Sequence, residues 1–375
     1  MVFAEAVAQP DTSADADERW MRRALQLAQR GIGRTSPNPV VGACIVSDAG
    51  IVLGQGAHER AGEPHAEVHA LDEAGDAARG ATMYCTLEPC AHVGRTGPCV
   101  DRIVASGIKR VVAAMEDPYP LVNGQGFAKL REHGIRVDVG IGRAAATRLN
   151  QPFLTTVRHG RPFVILKAAT SLDGHIAAAR GTRTAITSPQ ALRHAQYVRA
   201  LVDGVAVGSE TVLVDDPLLT VRDVFRERPL ARVVFDRRLR TPLDARVLRT
   251  LDAGPVIIVT SPGAMSADAP RAKKLRDAGA TLLPIAQGGM AAAMRELAAF
   301  EIQSILLEGG SVVHAAAWEE GIVDFVQMYV SPAPIGATGV PLLEGRPFSS
   351  AALHDRRIEL LGPDVLIEGY VHRLD

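Results

Sequence analysis

The chain has 375 residues, 47% of them hydrophobic and 22% charged, and its formal net charge is −1. This length predicts two or three domains, each with room for a hydrophobic core. The nearly balanced charge and the aromatic content of only 4% argue against a nucleic-acid-binding surface, which needs basic and stacking side chains. No apolar run is long enough to span a bilayer. A signal peptide begins with basic residues, and here the first basic residue is Arg19. We therefore expect a soluble, cytoplasmic protein without nucleic-acid or membrane partners.

The first part of the sequence alternates helical and strand patterns. Residues 1–16 are small, polar and acidic, and we expect them to form a mobile tail. Residues 17–150 are predicted to form one α/β domain, because strands separated by helices pack in layers. The predicted helices begin at Asp17 and cover 65–74 and 99–106, and the predicted strands cover 40–46, 51–55, 81–86 and 110–114.

Residues 151–161 contain Pro152 and Gly160 and interrupt this alternation, so we place an interdomain linker there. A second α/β domain is predicted over 162–375, from a new series of strands and helices. Its predicted strands cover 163–169, 204–207, 232–235, 256–260, 281–284, 304–308 and 325–330, its predicted helices cover 189–202, 267–278, 290–300 and 312–320, and a closing hairpin is predicted over 358–361 and 366–370.

One imidazole, one carboxylate and two thiols follow one another in the first domain, at His65, Glu67, Cys90 and Cys99. A catalytic zinc takes three protein ligands and keeps a fourth position open, and a zinc deaminase also needs a glutamate beside the metal to move protons. His65 and Glu67 are two positions apart at the start of a predicted helix, a separation of roughly 200° around its axis. Because both side chains cannot face one metal, we expect His65 to bind zinc and Glu67 to approach the water or the substrate.

A structural zinc with four protein ligands is the main alternative for this cluster. The fourth ligand would then be Cys85, His69 or His92. A structural site explains neither Glu67 nor the polar segment 91–98 between the two cysteines. We therefore favour the open, catalytic site.

Several motifs, spread over both predicted domains, occur together in this sequence. In the first domain they are TSPNPVVG at 35–42, GEPHAEVHAL at 62–71, TLEPC at 86–90 and GRTGPC at 94–99. In the second domain they are SLDG at 171–174, ITSP at 186–189, DDPLLTVR at 215–222 and LEGG at 307–310. Together they resemble one known family, the bifunctional deaminase–reductases of riboflavin biosynthesis. The resemblance implies a cytidine-deaminase-like N-terminal domain and a dihydrofolate-reductase-like C-terminal domain, both of the α/β class.

The resemblance also implies two consecutive reactions on a small phosphorylated pyrimidine. The first is the zinc-dependent hydrolytic deamination of 2,5-diamino-6-ribosylamino-4(3H)-pyrimidinone 5′-phosphate, and the second is the NADPH-dependent reduction of its ribosyl group to ribityl. Carried onto this sequence, the resemblance implies that His65, Cys90 and Cys99 bind one Zn²⁺ and that Glu67 is the catalytic proton donor. It also places Asn38 in contact with the pyrimidine.

In the second domain, the resemblance assigns Ala169, Thr211 and Asp215 to the NADPH site and Arg199, Leu219, Arg222 and Glu308 to the substrate site. An arginine suits a 5′-phosphate because it offers paired N–H donors. The glycines that precede Ser311 lie between a predicted buried strand and a predicted helix, where backbone N–H groups can approach a phosphate. We therefore add Gly310 and Ser311 to the expected cofactor site.

The sequence departs from the family pattern in two places. Eight residues separate Cys90 from Cys99, whereas generic zinc deaminases have P-C-x-x-C. At 182–187 the family commonly has a serine, another residue and a tryptophan, and here Arg183 and Ala185 take the first and last of these places. Ala185 keeps its cofactor position but cannot supply an aromatic wall, while Arg183 can reach a substrate phosphate.

Lys167 stands at the end of a predicted strand, where three roles stay open. Its ammonium group could polarise the sugar oxygen of the substrate, hold the phosphate, or simply reach solvent. We include it among the expected substrate residues.

Two other functions compete with the bifunctional enzyme. One is a nucleobase or nucleic-acid deaminase fused to an unrelated reductase-like domain, and the other is a structural-zinc binding module. The net charge, the low aromatic content and the motifs of the second domain disfavour the first, and Glu67 disfavours the second. The family resemblance further implies a homo-oligomer, either a dimer or a tetramer.

Overall fold

The computed structural model describes residues 13–91, 97–120 and 122–373. The chain divides into two compact units, Met1–Val157 and Arg158–Asp375. The division falls within residues 151–161. That these residues form an interdomain linker stays a prediction. No described helix is long and apolar enough to cross a membrane.

The first unit is a five-stranded sheet flanked by helices. Strand order in the sheet is β2-β1-β3-β4-β5; β1 runs antiparallel to β2 and β3, whereas β3, β4 and β5 are parallel. The elements of this unit are α1 (Ser13–Ala28), β1 (Gly42–Val46), β2 (Val52–Ala57), α2 (Ala66–Ala74), β3 (Thr82–Cys85), α3 (Cys99–Ser106), β4 (Arg110–Ala113), α4 (Gln125–Glu132), β5 (Arg136–Val139), α5 (Arg143–Leu149) and α6 (Gln151–His159).

Helix α2 packs very closely on β2 because the strand offers glycine where the helix crosses it. A Cβ atom at Gly56 would stand 2.3 Å from the backbone oxygen of Ala66, and one at Gly54 would stand 2.2 Å from that of Ala70. Neither position therefore admits a side chain without displacing the helix. This contact fixes the first turn of α2, where His65 is the N-cap residue.

The second unit contains a nine-stranded sheet in the order β11-β10-β9-β8-β12-β6-β13-β16-β15. Its strands are parallel except β16, which runs antiparallel to both of its neighbours, β13 and β15. The short strands β7 and β14 form a separate pair. The elements of this unit are β6 (Phe163–Thr170), β7 (His175–Ala177), α7 (Pro189–Leu201), β8 (Gly204–Gly208), α8 (Ser209–Asp215), β9 (Ala231–Phe235), β10 (Val256–Thr260), α9 (Pro262–Ala267), α10 (Ala269–Asp277), β11 (Ala280–Pro284), α11 (Gly289–Ala298), β12 (Ser304–Gly309), α12 (Ser311–Glu319), β13 (Phe325–Val330), β14 (Val340–Pro341), β15 (His354–Leu361) and β16 (Asp364–Tyr370).

The parallel strands of this sheet are buried on both faces, as their continuous apolar sequences require. On β12, Ile305 and Leu307 belong to a core with α11 and α12, while Leu306 faces a second core with Val198 of α7 and Leu275 of α10. The sheet therefore has helices on both sides, and the carboxyl ends of its parallel strands share one edge.

The structure confirms most of the predicted elements and corrects several boundaries. Helix α1 begins at Ser13, inside the segment expected to be a mobile tail, and residues 1–12 of that tail lie outside the described residues. Most of 151–161 is helical, because Phe153 and Leu154 of α6 are buried in the core of the first unit. The helix predicted over 267–278 is α10, and a separate helix, α9, which the sequence did not predict, ends just before it. Asp268 caps α10 by accepting a hydrogen bond from the N–H of Arg271 at 3.0 Å.

Candidate functional sites

The three predicted zinc ligands come together in the first unit. His65 caps α2, Cys90 follows Pro89 after β3, and Cys99 is the first residue of α3. The Nδ1 atom of His65 lies 3.5 Å from the Sγ atom of Cys90 and 3.3 Å from that of Cys99. All three donor atoms lie within 4.8 Å of one another, so they can share one metal ion.

Hydrogen bonds at this cluster favour a thiolate on Cys90. The backbone N–H of Cys99 donates to Cys90 Sγ at 3.3 Å. The side-chain hydrogen bond from Cys99, followed by that from His65, holds the pKa of Cys90 well below its usual range despite burial. The same contact with Cys90, together with burial, raises the pKa of Cys99. One nitrogen and two sulfurs, one of them already stabilised as a thiolate, form a donor set that suits zinc.

Glu67 is buried beside these donors with only 3% of its surface exposed. Burial raises the pKa of its carboxyl group to about 7, although the charge of His65 opposes this rise. Its Oε2 atom has no hydrogen-bond partner among the described residues. A buried carboxylate oxygen without a partner is costly, so this atom is suited to meet a water or substrate atom.

Asn38 reaches the same cluster through a second histidine. Its Nδ2 atom lies 3.0 Å from Nε2 of His58, whose Nδ1 lies 3.2 Å from the carbonyl oxygen of Pro64. The rings of His58 and His65 meet edge to face with centroids 5.2 Å apart. Burial lowers the pKa of His58, which favours a neutral ring that accepts from Asn38 and donates to Pro64. His58 is therefore a site residue that sequence reasoning missed.

Glu88 is a second missed residue, and it supports the loop next to Cys90. Its two carboxylate oxygens accept hydrogen bonds from four backbone N–H groups, those of Asp117 at 3.2 Å, Gly124 at 2.9 Å, Gly126 at 2.8 Å and Phe127 at 3.2 Å. Because Glu88 lies two residues before Cys90, these bonds tie the metal-donor segment to α4. The TLEPC motif contained this residue, but nothing in the sequence indicated its four partners.

The described residues contain no fourth metal ligand at this cluster. Cys85 lies in β3 with its Sγ atom 3.8 Å from the carbonyl oxygen of Val112, and His69 is not within reach of the three donor atoms. His92 and most of the polar segment 91–98 lie outside the described residues. Over the described ranges, the geometry favours three protein ligands and an open position.

The second unit holds a cavity of about 1040 Å³ at the carboxyl ends of its parallel strands. This is the edge at which open α/β sheets bind ligands. The cavity brings together most of the residues predicted for NADPH and the substrate: Lys167, Ala169, Arg183, Ala185, Thr211, Asp215, Glu308, Gly310 and Ser311.

Two glycines and the start of α12 form one wall of this cavity. Gly310 has φ +82° and ψ 142°, a conformation that side chains disfavour. A Cβ atom at Gly309 would stand 2.7 Å from the Cα atom of Val207. The buried Ser311 Oγ has no hydrogen-bond partner among the described residues. Free N–H groups at a helix start and an unpartnered hydroxyl suit a cofactor phosphate.

Glu308 lines the cavity at a β-bulge in β12. The pairing of β12 with β8 shifts register between Leu307 and Gly309, which leaves Glu308 as an extra residue. Arg199 holds its carboxylate with two hydrogen bonds, Nε to Oε1 at 3.0 Å and Nη2 to Oε2 at 2.7 Å, and the two side chains are only 12% and 11% exposed. Charge-assisted bonds of this kind fix a carboxylate in both position and protonation state.

Lys167 faces the same carboxylate from the neighbouring strand β6. Its Nζ atom lies 5.5 Å from the centre of the Tyr329 ring. Burial lowers the pKa of Lys167, and the charge of Glu308 partly opposes this. Of the three roles considered for this lysine, the cavity position supports the two that involve a ligand.

Asp215 also lines the cavity with an unsatisfied group. Its Oδ1 atom is buried without a hydrogen-bond partner in the described part of the chain. Burial raises the pKa of this carboxyl group, and the charge of Arg183 partly offsets the rise. Asp215 is therefore available to bind a cofactor or substrate donor.

Three residues predicted for the substrate do not line the cavity. Leu219 is 3% exposed and packs in the core that includes Val198, with φ +54°. Arg199 contacts the site through Glu308 and donates to the carbonyl oxygen of Thr220 at 2.7 Å. Arg222 is exposed, and its backbone N–H donates to Gln196 Oε1 at 2.9 Å. Their assignment to the substrate stays a prediction.

The cavity also contains residues that the sequence did not suggest. His314 is buried, its Nε2 lies 3.3 Å from the carbonyl oxygen of Leu307, and burial lowers its pKa to about 4. Arg237, Arg238 and Arg240, which follow β9, also line the cavity. These residues share a cavity with Gly310 only because of the order of the strands in the sheet, and no sequence motif indicated this.

Comparison with known proteins agrees with a deaminase domain joined to a reductase domain. A family described as the cytidine and deoxycytidylate deaminase zinc-binding region matches residues 14–115. A family described as the RibD C-terminal domain matches residues 162–367. The class is therefore a zinc deaminase with a dihydrofolate-reductase-like partner domain, as the sequence predicted.

Full-length relatives give the same result. The chain is 40% identical to the riboflavin biosynthesis protein RibD of Aquifex aeolicus, over 94% of this chain and 98% of the relative. It is 41% identical to that of Escherichia coli, over 94% and 98% respectively. A solved structure of Acinetobacter baumannii RibD has a TM-score of 0.84 at 35% identity and covers 96% of this chain and 99% of its own.

A structure from Thermotoga maritima is also similar, with a TM-score of 0.82 at 34% identity over 96% of this chain and 99% of its own. That protein is described as a diaminohydroxyphosphoribosylaminopyrimidine deaminase/5-amino-6-(5-phosphoribosylamino)uracil reductase.

The chain belongs to the RibD family. It is a bifunctional deaminase and reductase of riboflavin biosynthesis, with zinc and NADPH as its cofactors.

Proposed function

We propose that the first unit hydrolyses the 2-amino group of 2,5-diamino-6-ribosylamino-4(3H)-pyrimidinone 5′-phosphate and that the second unit reduces the ribosyl group of the resulting uracil to ribityl. The observation that carries the first step is the unpartnered Glu67 oxygen beside the donors His65, Cys90 and Cys99. The description of the Thermotoga maritima relative names both parts of this sequence.

In the first unit, His65, Cys90 and Cys99 would hold the zinc. When bound there, zinc acts as a Lewis acid toward water. A histidine and two cysteinates balance the charge of Zn²⁺, so the metal acidifies water less than it would with three neutral ligands. A side chain of the protein must therefore carry out an essential proton transfer.

Glu67 would perform that transfer at Oε2. The hydrolysis adds water across the C–N bond and releases ammonia, so one proton must leave the water and one must reach the departing nitrogen. A carboxyl group with a pKa of about 7 can both accept and donate a proton near neutrality. Asn38, held by His58, would orient the pyrimidine for this exchange.

In the second unit, Gly310 and Ser311 would bind the phosphates of NADPH at the start of α12, with Ala169, Ala185, Thr211 and Asp215 completing the cofactor site. NADPH, when bound, supplies the reducing hydrogen. The protein's part is to hold cofactor and sugar together and to exclude water, which a half-enclosed cavity allows.

The substrate would occupy the Lys167 and Glu308 end of this cavity. Lys167 lies close enough to Glu308 for their charges to interact. It would donate a proton to the ring oxygen of the ribosyl group as C1′ is reduced and its bond to that oxygen breaks, while the bond from C1′ to nitrogen is kept. Arg183 lines the cavity and would attract the 5′-phosphate, while Arg199 would act on the substrate through Glu308. That Leu219 and Arg222 contact the substrate is kept as part of the proposal from the family resemblance.

We further propose that the enzyme works in the cytoplasm as a homo-oligomer, a dimer or a tetramer. Four free cysteines, two of them metal donors, support a reducing compartment. The family resemblance supports the oligomer.

The proposed function is tested by incubating the purified chain with the diamino-pyrimidinone phosphate, with and without NADPH, and following the products by mass spectrometry. Without NADPH, we expect the amino group to be replaced by oxygen and the reaction to stop. With NADPH, the product gains two further hydrogens. Reduction of the diamino compound before deamination would contradict the proposed order.

A further inference from the structure

The ammonium group of Lys167 has no hydrogen-bond acceptor and no direct ion-pair partner among the described residues. Glu308 acts on it through its charge, but Arg199 already holds both oxygens of that carboxylate. An ammonium group withdrawn from water is costly unless another group stabilises its charge. The three N–H donors of Lys167 are therefore free for a ligand, and some other contact must hold the group in place.

The ring of Tyr329 provides such a contact. The Nζ atom of Lys167 lies over this ring, 5.5 Å from its centre, which is within the range of a cation–π interaction. Tyr329 of β13 is opposite Ala169 of β6, two residues beyond the pair of Gln327 and Lys167. Residues two apart on a strand point to the same face, so the ring and the ammonium group share one face of the sheet.

The ring of Tyr329 is itself firmly held. Tyr329 is 1% exposed and packs with Ala191 and Ala195 of α7 and with Leu366 of β16. Its hydroxyl oxygen lies 2.9 Å from Nδ1 of His194, also on α7. In the described part of the chain, Tyr329 does not line the cavity, so its ring supports Lys167 from behind rather than contacting a ligand.

We propose that Tyr329 is a positioning residue for the reduction, whose ring face holds the Lys167 ammonium group at the cavity wall while leaving all three of its N–H donors to the substrate. A carboxylate in the same place would also hold the ammonium group, but it would occupy one or two of those donors. This inference rests on the proposed role of Lys167 as the proton donor to the ribosyl ring oxygen.

The first experiment measures kcat and KM for reduction of the uracil intermediate across pH in Tyr329→Leu and Tyr329→Phe. Leucine keeps the position apolar but removes the ring, so the charged form of Lys167 is less stable and its pKa falls. Because Lys167 must be protonated to donate, the alkaline limit of kcat should move to lower pH by about one pH unit, with the KM for NADPH unchanged. Phenylalanine keeps the ring face and should keep the wild-type profile, although it loses the bond to His194.

The charged groups around Lys167 are the same in these variants. Glu308 on β12, Arg199 on α7 and His314 on α12 act on it electrostatically, and none of them is changed. Tyr197→Leu is the matched control, because its ring also neighbours that of His194, with centroids 6.4 Å apart, but does not contact Lys167 in the described structure. A wild-type pH profile in Y329L, or a Y329F enzyme as impaired as Y329L, would overturn the proposal.

A second experiment changes only the charge distribution of the ring and does not depend on the folding of Y329L. Fluorinated phenylalanines with an increasing number of fluorine atoms are incorporated at position 329. Fluorine withdraws negative charge from the ring face with little change in volume. The alkaline limit of kcat should move to lower pH stepwise with each added fluorine. An alkaline limit that does not depend on fluorination would assign Tyr329 a packing role alone and overturn the proposal.

Lys167→Met separates this inference from the proposed function. We expect K167M to lose reduction by at least about a hundredfold, with deamination unchanged, because the proton donor is removed. If K167M reduces the uracil intermediate as fast as the wild type, the proposed role of Lys167 is wrong and Tyr329 has nothing to position. If K167M is inactive while Y329L and the fluorinated series behave like the wild type, the proposed function stands and only the role of Tyr329 is overturned.

Discussion

The two sites of this chain are built in opposite ways. The deaminase donors come from short motifs, and a first helical turn and one loop place His65, Cys90 and Cys99 within 4.8 Å of one another. The reductase cavity collects its lining from the ends of strands distant in sequence, such as Lys167 on β6 and Glu308 on β12. A metal site needs only a few groups, and very few residue types can serve as each of them. A cofactor cavity needs many groups, and several residue types can serve at most of its positions. The first should therefore be more sensitive to a single substitution.

The largest effect is expected at Glu67. Glu67→Gln keeps the shape but cannot transfer a proton, so deamination should fall by about a thousandfold. Zinc content and reduction of the uracil intermediate should be unchanged, as measured by metal analysis and NADPH oxidation. Glu63→Gln, which alters a more exposed carboxylate paired with Arg60, is the matched control. Loss of zinc from E67Q would show that Glu67 is a ligand rather than a proton carrier.

The counterpart in the reductase site is Gly310→Asp. A side chain at φ +82° is strained, and its carboxylate would repel the cofactor phosphates. NADPH should bind on the order of tens of times more weakly, measured by fluorescence titration, because charge-assisted hydrogen bonds are lost. Gly321→Asp is the control, since Gly321 also has positive φ but no neighbour within 4 Å of an added Cβ. Equal weakening in both variants would place the phosphates elsewhere.

A smaller effect is expected at Arg222, which the structure leaves exposed. Arg222→Ala should raise the KM for reduction by about tenfold through loss of a phosphate contact, with deamination unchanged. Arg193→Ala, on the exposed side of α7, is the control. If the KM does not change, Arg222 has no part in substrate binding.

The smallest effect is expected at Ala185, where the chain lacks the tryptophan common in its family. Ala185→Trp should tighten NADPH binding by about fivefold by adding an aromatic wall to the cavity. Ala185→Leu adds apolar volume without a ring and serves as the control. An equal gain in both variants would attribute the effect to volume rather than to stacking.

These expectations show where sequence reasoning succeeds. The proximity of Glu67 to His65, Cys90 and Cys99 was predictable because zinc chemistry limits the residue types and their order. The buried strands of β8 and β10 were predictable from continuous apolar runs. Both patterns are local in the sequence, so they can be recognised without knowledge of the tertiary fold.

Other features depend on distant partners. His58 contacts Asn38 only in the folded chain, because the two residues are distant in sequence. Glu88 accepts its four hydrogen bonds from N–H groups of α4 and of the turns before it, and the sequence did not indicate these partners. The short helices α4 and α5 and the mixed polar edge strand β5 carry too weak a pattern to predict. The ion pair between Arg199 and Glu308 was likewise not predictable from the sequence, and the assignment of Arg199 to the substrate stays a prediction.

The central claim is that one chain carries two independent catalytic sites, and mixing two defective variants tests it most directly. At an NADPH concentration that saturates the wild type but not G310D, each variant alone should form the ribityl product from the diamino-pyrimidinone phosphate far more slowly than the wild type. A mixture of the two should form that product, because the intermediate released by G310D can be reduced by E67Q. A mixture no more active than either variant alone would contradict two separable sites.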